Sequence, residues 1–381
     1  MKRTLFALLL PLLASIAHAE TKDLLAGDDI LSAFQSTKLW RGVAEVAAVD
    51  GKTELTLAGE GKILVNGATK EEKAPYLITA EDFGDVRVEL EFMVPKGSNA
   101  GVYLMGRYEV QILDSFGRER FVSGDLGGIY QQWDPSRGKG KEGFGGIKPR
   151  VNAAKAPGEW QTMEIIFRAP RFNEDGRKTR SAIFEKVIIN GELVQENVTT
   201  TGPTRAHPLK GETTTGPIAI QGDHGPIAIR KYTVTTLPDP EPARLAELDA
   251  YWDKVSRAVA EGDWDTYKAT AHPDAILVSG VAKQTYPLTH AFARWVHEFE
   301  DTKAGKMKAS VDFRFNVRYG DATTAYEAGI FRYEQIHEGV EPKPEFIEFE
   351  ALLRKEDGQW LIVMEYQKSV LSEADWDKVA R

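Results

Sequence analysis

Residues Asn99–Gly117, NAGVYLMGRYEVQILDSFG, decide how the chain is read. Apolar and polar positions alternate with the period of two of a strand whose faces meet different surroundings. Tyr108, Val110 and Ile112 fall on one face and Glu109 and Gln111 on the other, joined by Arg107 if the strand runs straight through Gly106. A plain core strand needs less hydrogen-bonding chemistry than this. Alternation alone leaves two readings open: a solvated face laced by cross-strand ion pairs, or a polar row lining an open ligand groove.

The surrounding sequence has the same character. Val86, Val88, Leu90 and Phe92 alternate with Arg87, Glu89 and Glu91. SAIFEKVIINGELVQENV reads as a hairpin turning at Asn190-Gly191, and Asn66-Gly67 carries a similar signature. EWQTMEIIFRA and GPIAIRKYTVTTL add strands, while helical periodicity is nearly absent. Many short strands with Gly/Pro punctuation predict a mostly β chain whose first domain is a β-sandwich of jelly-roll type. Gly117–Lys155 is glycine-rich and reads as long loops over one rim of that sandwich.

The period changes at LPDPEPARLAEL. Pro238, Pro240 and Pro242 stiffen a segment expected to be a linker over 238–243, between a domain at 20–237 and another at 244–381. Beyond it, Leu245, Leu248, Trp252, Val255 and Val259 form a helical stripe. A short helix capped by Asp263, the strand AILVSG, a helix around LTHAFARWVHEFE and a run of strands follow. Helices first and antiparallel strands after predict an α+β domain in which a curved sheet wraps a long helix.

The length of 381 residues agrees with two domains. A net charge of -9 argues against nucleic acid as a partner, because phosphate binding draws on clustered Lys and Arg. MKRTLFALLLPLLASIAHAE has the basic start, apolar run and Ala17-His18-Ala19 ending of a secretory signal peptide over residues 1–19. No later stretch is apolar enough to span a bilayer, and there is no cysteine for a disulfide or a lipid anchor. A periplasmic or secreted location is expected.

Candidate chemistry concentrates in few places. In QGDHG, Gln221, Asp223 and His224 sit in a glycine turn, and His224 and His207 are the only histidines of the first domain after the signal segment. An imidazole acting near neutral pH must be one of these two; His207, in a polar loop, reads as surface. Glu89 and Glu91 share a strand face, either as paired acids or in a salt-bridged lattice. Trp133 can stack on a sugar ring or cover a sheet edge. No cofactor is evident; a divalent metal is compatible with the chemistry, but no His/Asp/Glu spacing marks a site. His290 and His297, seven apart, do not have the spacing of a zinc pair.

SNAGVYLMGRYEVQILDS, GGIY, PRVNAAKAPGEWQTMEIIFRAPRF, NGELVQENV, TGPT and GPIAIQGDHGPIAIRKYTV stand in the order found in the 3-keto-disaccharide hydrolase domain family, which this region resembles over Leu25–Leu237. The resemblance implies a concanavalin-A-like sandwich acting on an oxidised (3-keto) oligosaccharide or glycoside. RKYTV and the basic insert DPSRGKGKEGFGGIK depart from the family pattern. The activity so implied is elimination across the first and second ring carbons followed by hydration, which needs a base, an acid and donors for the enolate. The resemblance favours His224, Glu109 and Asp223 as the catalytic set, with Arg107, Gln111, Gln221, Trp133 and Glu91 contacting substrate. A non-catalytic carbohydrate-binding module with the same groove is the alternative. The second half resembles the SnoaL-like/nuclear-transport-factor-two-like cone in LDAYWDKVSRAVAEGDWDTYKATAHPDAILVSG and RKEDGQWLIVMEYQKS. That group includes enzymes, binding domains and dimerisation modules, so a homodimer through this half or a small ligand within it is open.

Overall fold

The structure, a computed structural model, describes residues 19–67, 72–173 and 175–379. The expected signal peptide lies outside the described residues except for Ala19. The chain forms two compact units, 1–238 and 239–381.

The first unit is a β-sandwich. Its larger sheet runs Glu192–Thr200, Ala182–Ile189, Gln161–Arg168, Val86–Met93, Ala228–Thr236, Leu55–Asn66 and Trp40–Ala48, with Thr21–Asp23 added beside Ala228–Thr236. The smaller sheet runs Phe34–Gln35, Leu77–Phe83, Gly216–Ile220, Asn99–Leu104 and Tyr108–Leu113. Val88, Leu90 and Phe92 from one sheet and Val102, Tyr108, Val110 and Ile218 from the other share the buried core. Phe167 ties the layers together, with ring centroids 5.1 Å from Phe184 and 5.5 Å from Tyr108. Burial of such rings is the main stabilising term of a sandwich. The hairpin at Asn190-Gly191 forms as expected, with φ of 52° and 87°.

Two local readings require correction. The opening stretch is a hairpin and not one strand. Met105 and Gly106 have φ of 55° and 63°, the Arg107 N–H donates to the Leu104 carbonyl, and Tyr103 faces Glu109 across the turn. Arg107 therefore sits at a corner, off the face shared by Glu109 and Gln111. Asn66-Gly67 makes no hairpin of the Asn190-Gly191 kind. Neither residue has positive φ, and the Asn66 side chain is 2% exposed and spent on distant backbone.

In the second unit, the segment read as a linker is already helical from Pro240. Proline is tolerated in a first helical turn, whose N–H groups have no partner within the helix, and Asp239 caps the start by accepting from the Glu241 N–H. This helix, Pro240–Glu261, ends at Gly262 in the left-handed conformation. Asp263 caps the short helix Trp264–Lys268. The six-stranded sheet runs Gln284–Pro287, Ala271–Ser279, Gln359–Leu371, Glu345–Glu356, Thr324–His337 and Met307–Gly320, with Ala271–Ser279 and Gln359–Leu371 parallel. Leu248, Trp252, Val255 and Val259 of the long helix pack with Phe299 of Leu288–Lys303 and Phe349 of the sheet. The unit is the expected α+β layer.

Candidate active site

The outer face of the smaller sheet carries the candidate residues. Across the strands, Glu109 stands opposite Tyr103 and Tyr103 opposite Ala219. One row further, Gln111 stands opposite Gly101, whose carbonyl accepts from the Gln221 N–H at 2.9 Å. Tyr76 joins this face: its hydroxyl accepts from Gln221 Nε2 at 3.3 Å and its ring meets the Tyr103 ring edge-on at 5.5 Å.

The family resemblance predicts an open, solvated row here; the structure shows a buried one. Glu109 is 0% exposed, and Gln111 and Gln221 are 4% exposed. The sheet continues past its last long strand, because the Gln111 N–H donates to the Gly128 carbonyl and the Tyr130 N–H to the Glu109 carbonyl. A second segment lies against the same end. Thr204 Oγ1 accepts from the Glu109 N–H, and the hydroxyls of Tyr103 and Tyr76 donate to the carbonyls of Arg205 and Ala206.

Glu109 is unusual within this face. Its carboxyl occupies the space over Gly101, where any Cβ would collide with Oε1. Neither carboxyl oxygen has a protein donor in good hydrogen-bond geometry. Burial pushes the Glu109 carboxyl up to about 8; Tyr103 and Gln111 steady the ionised form only in part, and the charge of Asp223 adds to the upward push. At neutral pH it is mainly a neutral acid. The Asn99 Oδ1 and Gln221 Oε1 atoms are likewise buried acceptors without a protein donor. A buried acceptor left unpaired costs about 1–3 kcal/mol, so three such side chains in one region make it a candidate site for a donor-rich ligand.

The QGDHG turn supplies the other half. His224 Nδ1 lies 2.6 Å from Asp223 Oδ1, and the two side chains are 45% and 32% exposed. The turn is held from beneath by Asn66, whose amide donates to the carbonyls of Gly222 and Gly225 at 3.1 and 2.9 Å and accepts from the Ile227 N–H at 2.8 Å. Ser98 Oγ donates to the Pro226 carbonyl at 2.6 Å, and a Cβ on Gly225 would strike Ser98. Asp223 is close enough to Glu109 and Tyr76 for its charge to raise both groups. Glu109, Gln111, Gln221, Asp223 and His224 are thus brought to one region of the first unit.

The other expected site residues lie elsewhere. Arg107 is a backbone clamp: Nη1 donates to the Met105 carbonyl at 2.6 Å, Nη2 to Lys210 at 3.1 Å, and Nε to Gly211. Three of its five N–H donors are thus spent on backbone carbonyls, which fixes the guanidinium at the turn. Glu91 is on the outer face of the larger sheet, paired with Arg230, which holds its carboxyl below the usual range. Opposite layers of the sandwich separate it from Glu109, so a substrate contact shared with Glu109 is excluded. Trp133 is 41% exposed in the rim loop, with the Arg205 guanidinium 4.0 Å from its ring centroid. His207 bonds the Leu209 carbonyl through Nδ1.

Asn66, Tyr76, Asn99 and Gly101 were not singled out from sequence. Asn66-Gly67 reads as a turn, and nothing local distinguishes an amide serving three remote backbone groups. Gly101 carried the one available signal, a glycine inside a strand, which marks close approach of another group. Among the described residues, no group of three or more His, Cys, Asp or Glu side chains is arranged to hold a metal ion, and no helix is long and apolar enough to cross a membrane.

The β-sandwich and the family match together define a carbohydrate-directed, glycosyl hydrolase-like domain. The model of the 3-keto-alpha-glucoside-1,2-lyase-like domain matches residues 23–235, over half of the chain, and the chain belongs to this family. Two similar solved structures are proteins described as candidate glycosyl hydrolases from Parabacteroides distasonis. One has 29% identity over 57% of this chain and 84% of its own, with a TM-score of 0.41. The other has 16% identity over 57% and 94%, with a TM-score of 0.32. An NTF-2 like protein of unknown function from Shewanella oneidensis is similar at 15% identity over 32% of this chain and 97% of its own, with a TM-score of 0.27. No curated protein matches the chain.

Proposed function

We propose that the first unit cleaves 3-keto-glycosides by elimination and hydration, as an exported enzyme. The observation that carries this reading is Glu109: a fully buried carboxyl with no donor in good hydrogen-bond geometry, held toward its neutral form by burial and within electrostatic reach of Asp223, the partner of His224. A ketone on the third ring carbon acidifies the hydrogen on the second. His224, oriented by Asp223, takes that proton and the electron pair moves onto the ketone oxygen. The enolate then expels the oxygen on the first carbon, which takes the proton of Glu109. Water adds in reverse: its oxygen bonds the first carbon, Glu109 recovers a proton, and His224 returns one to the second carbon. The sum is hydrolysis, with the ketone restored. Glu109 must be an acid at the moment the leaving oxygen needs a proton, which its raised ionisation supports.

The unpartnered oxygens of Asn99 and Gln221 support a sugar as ligand, since ring hydroxyls supply the missing hydrogens. Trp133, on the rim, is the candidate stacking surface. One observation favours binding without turnover, by a lectin-like module: Glu109 has no exposed surface. For catalysis the segment around Arg205–Leu209 must shift to admit a ring, breaking the bonds from Tyr76 and Tyr103.

The test is incubation of the purified protein with a 3-keto-disaccharide beside its unoxidised parent. Release of the 3-keto sugar from the oxidised substrate alone, lost in Glu109→Gln and His224→Ala, supports the reading. Cleavage of the unoxidised parent replaces it with conventional glycosidase chemistry, and binding without turnover of either replaces it with the lectin reading. For the second unit we propose a SnoaL-like cone, on the strength of its six-stranded sheet packed against the helices Pro240–Glu261 and Leu288–Lys303.

A further inference from the structure

The second unit encloses a cavity of about 470 Å³, within the roughly 300–1,000 Å³ of small-molecule sites. Its wall is largely aromatic, including Trp252, Trp295, Tyr267 and Tyr333, and its charged lining residues are Glu298, Glu345, Glu365 and Lys343. The carboxyls are not neutralised in the way of others in this unit. Glu327 is paired with Arg318, Glu348 with Lys368 and Glu247 with Lys355, whereas no ion pair to Glu298, Glu345 or Glu365 occurs among the described residues.

What holds these acids is neutral. Tyr333 donates to Glu298 Oε2 at 2.9 Å and is itself backed by Gln335 Nε2 at 3.0 Å; Gln367 Nε2 donates to Glu365 Oε1 at 2.7 Å. Glu298 comes from the helix Leu288–Lys303 and Glu365 from the strand Gln359–Leu371. Both line the cavity together with Tyr267, which belongs to a third element, and both act electrostatically on its hydroxyl.

We infer that this cavity binds a small organic cation: an amine on an apolar or aromatic body. Rings of Trp and Tyr attract a desolvated ammonium through their faces. Two inward carboxyls line the cavity without a protein cation; burial holds Glu365 toward its neutral form, and an ammonium placed beside it draws out its charge, which a neutral or anionic ligand does not. Lys343 and Glu345 are both exposed, so water screens their charges more than those of Glu298 and Glu365.

The test compares three probes sharing one indole body on the full chain: tryptamine (cationic), tryptophol (neutral) and indole-3-acetate (anionic), by calorimetry at neutral pH. Tryptamine binding at least tenfold tighter than tryptophol, with indole-3-acetate weakest, is the expected order. Glu298→Gln and Glu365→Gln should each weaken tryptamine several-fold and leave tryptophol unchanged. Equal affinity for tryptamine and tryptophol overturns the inference, as do a preference for indole-3-acetate, absence of tryptamine binding at millimolar concentration, or full tryptamine affinity in both variants. If a variant fails to fold, the comparison of the three probes on the unmodified chain still decides.

Discussion

The carboxyl of Glu109 occupies the volume that a side chain at position 101 would need. Gly101 is thus a cradle, and the acid at its floor is positioned by a missing atom. Gly101→Ala must displace the carboxyl or the strand, at a cost of about 1–3 kcal/mol. Chemical denaturation measures that cost. A larger loss of turnover than of stability is expected on a 3-keto-disaccharide, because the displaced group is the proposed acid.

The raised ionisation of Glu109 has a signed consequence for stability. In the unfolded chain the carboxyl ionises near the ordinary value of 4.5, in the folded chain near 8. Between these values the folded state holds more protons, so this group lowers stability as pH rises, by about 1.4 kcal/mol per pH unit, and the loss levels off above the folded value. Glu109→Gln removes that dependence. The stability difference between variant and parent should grow in the variant's favour from pH 5 to pH 8, read as urea midpoints. A constant difference would contradict the raised ionisation. If Glu109 is the acid, kcat/KM of the parent should fall above about pH 8.

Arg107 should matter for folding and not for substrate. Arg107→Ala removes the donors to the Met105, Lys210 and Gly211 carbonyls, costing about 1–3 kcal/mol. It should also open the neighbouring loop to limited proteolysis. Arg107→Lys should restore little, since a single ammonium cannot reproduce the spread of a guanidinium.

Glu91→Gln separates the two sheets experimentally. The pair with Arg230 lies on the outer face of the larger sheet, where such pairs contribute under about 1 kcal/mol. Turnover should equal that of the parent within error, and a lost activity would place substrate on the wrong sheet for the Glu109 proposal.

In the second unit, Glu327 is 0% exposed and held by Arg318 at 2.6 Å and by the Trp252 indole N–H. Arg318→Ala leaves a buried carboxylate without its cation, a loss of about 3–5 kcal/mol. The double change Arg318→Met with Glu327→Gln should recover much of it, as followed by tryptophan fluorescence in urea.

The period of two around Val86–Phe92 and Tyr108–Ile112, and the period of a helix from Leu248 to Val259, sufficed for the fold class, because side-chain direction in strands and helices is a local geometric property. Asn190-Gly191 was legible for the same reason: left-handed backbone is a property of the residues in the turn. Other features are set by partners remote in sequence. The Asn66 side chain meets the Gly222 carbonyl 156 positions away, and Glu91 meets Arg230 139 positions away. Alternation put Glu109 and Gln111 on one face, but burial of that face came from the Gly127–Tyr130 extension and the Thr204–Ala206 segment laid against it. Burial is what pushes Glu109 to about 8, and a residue's burial is decided by what folds over it. The sequence by itself determined the fold class and the family of the first unit; only the tertiary structure decided where strands turn, which acids are paired, which is kept neutral, and where each side chain finds or lacks a partner.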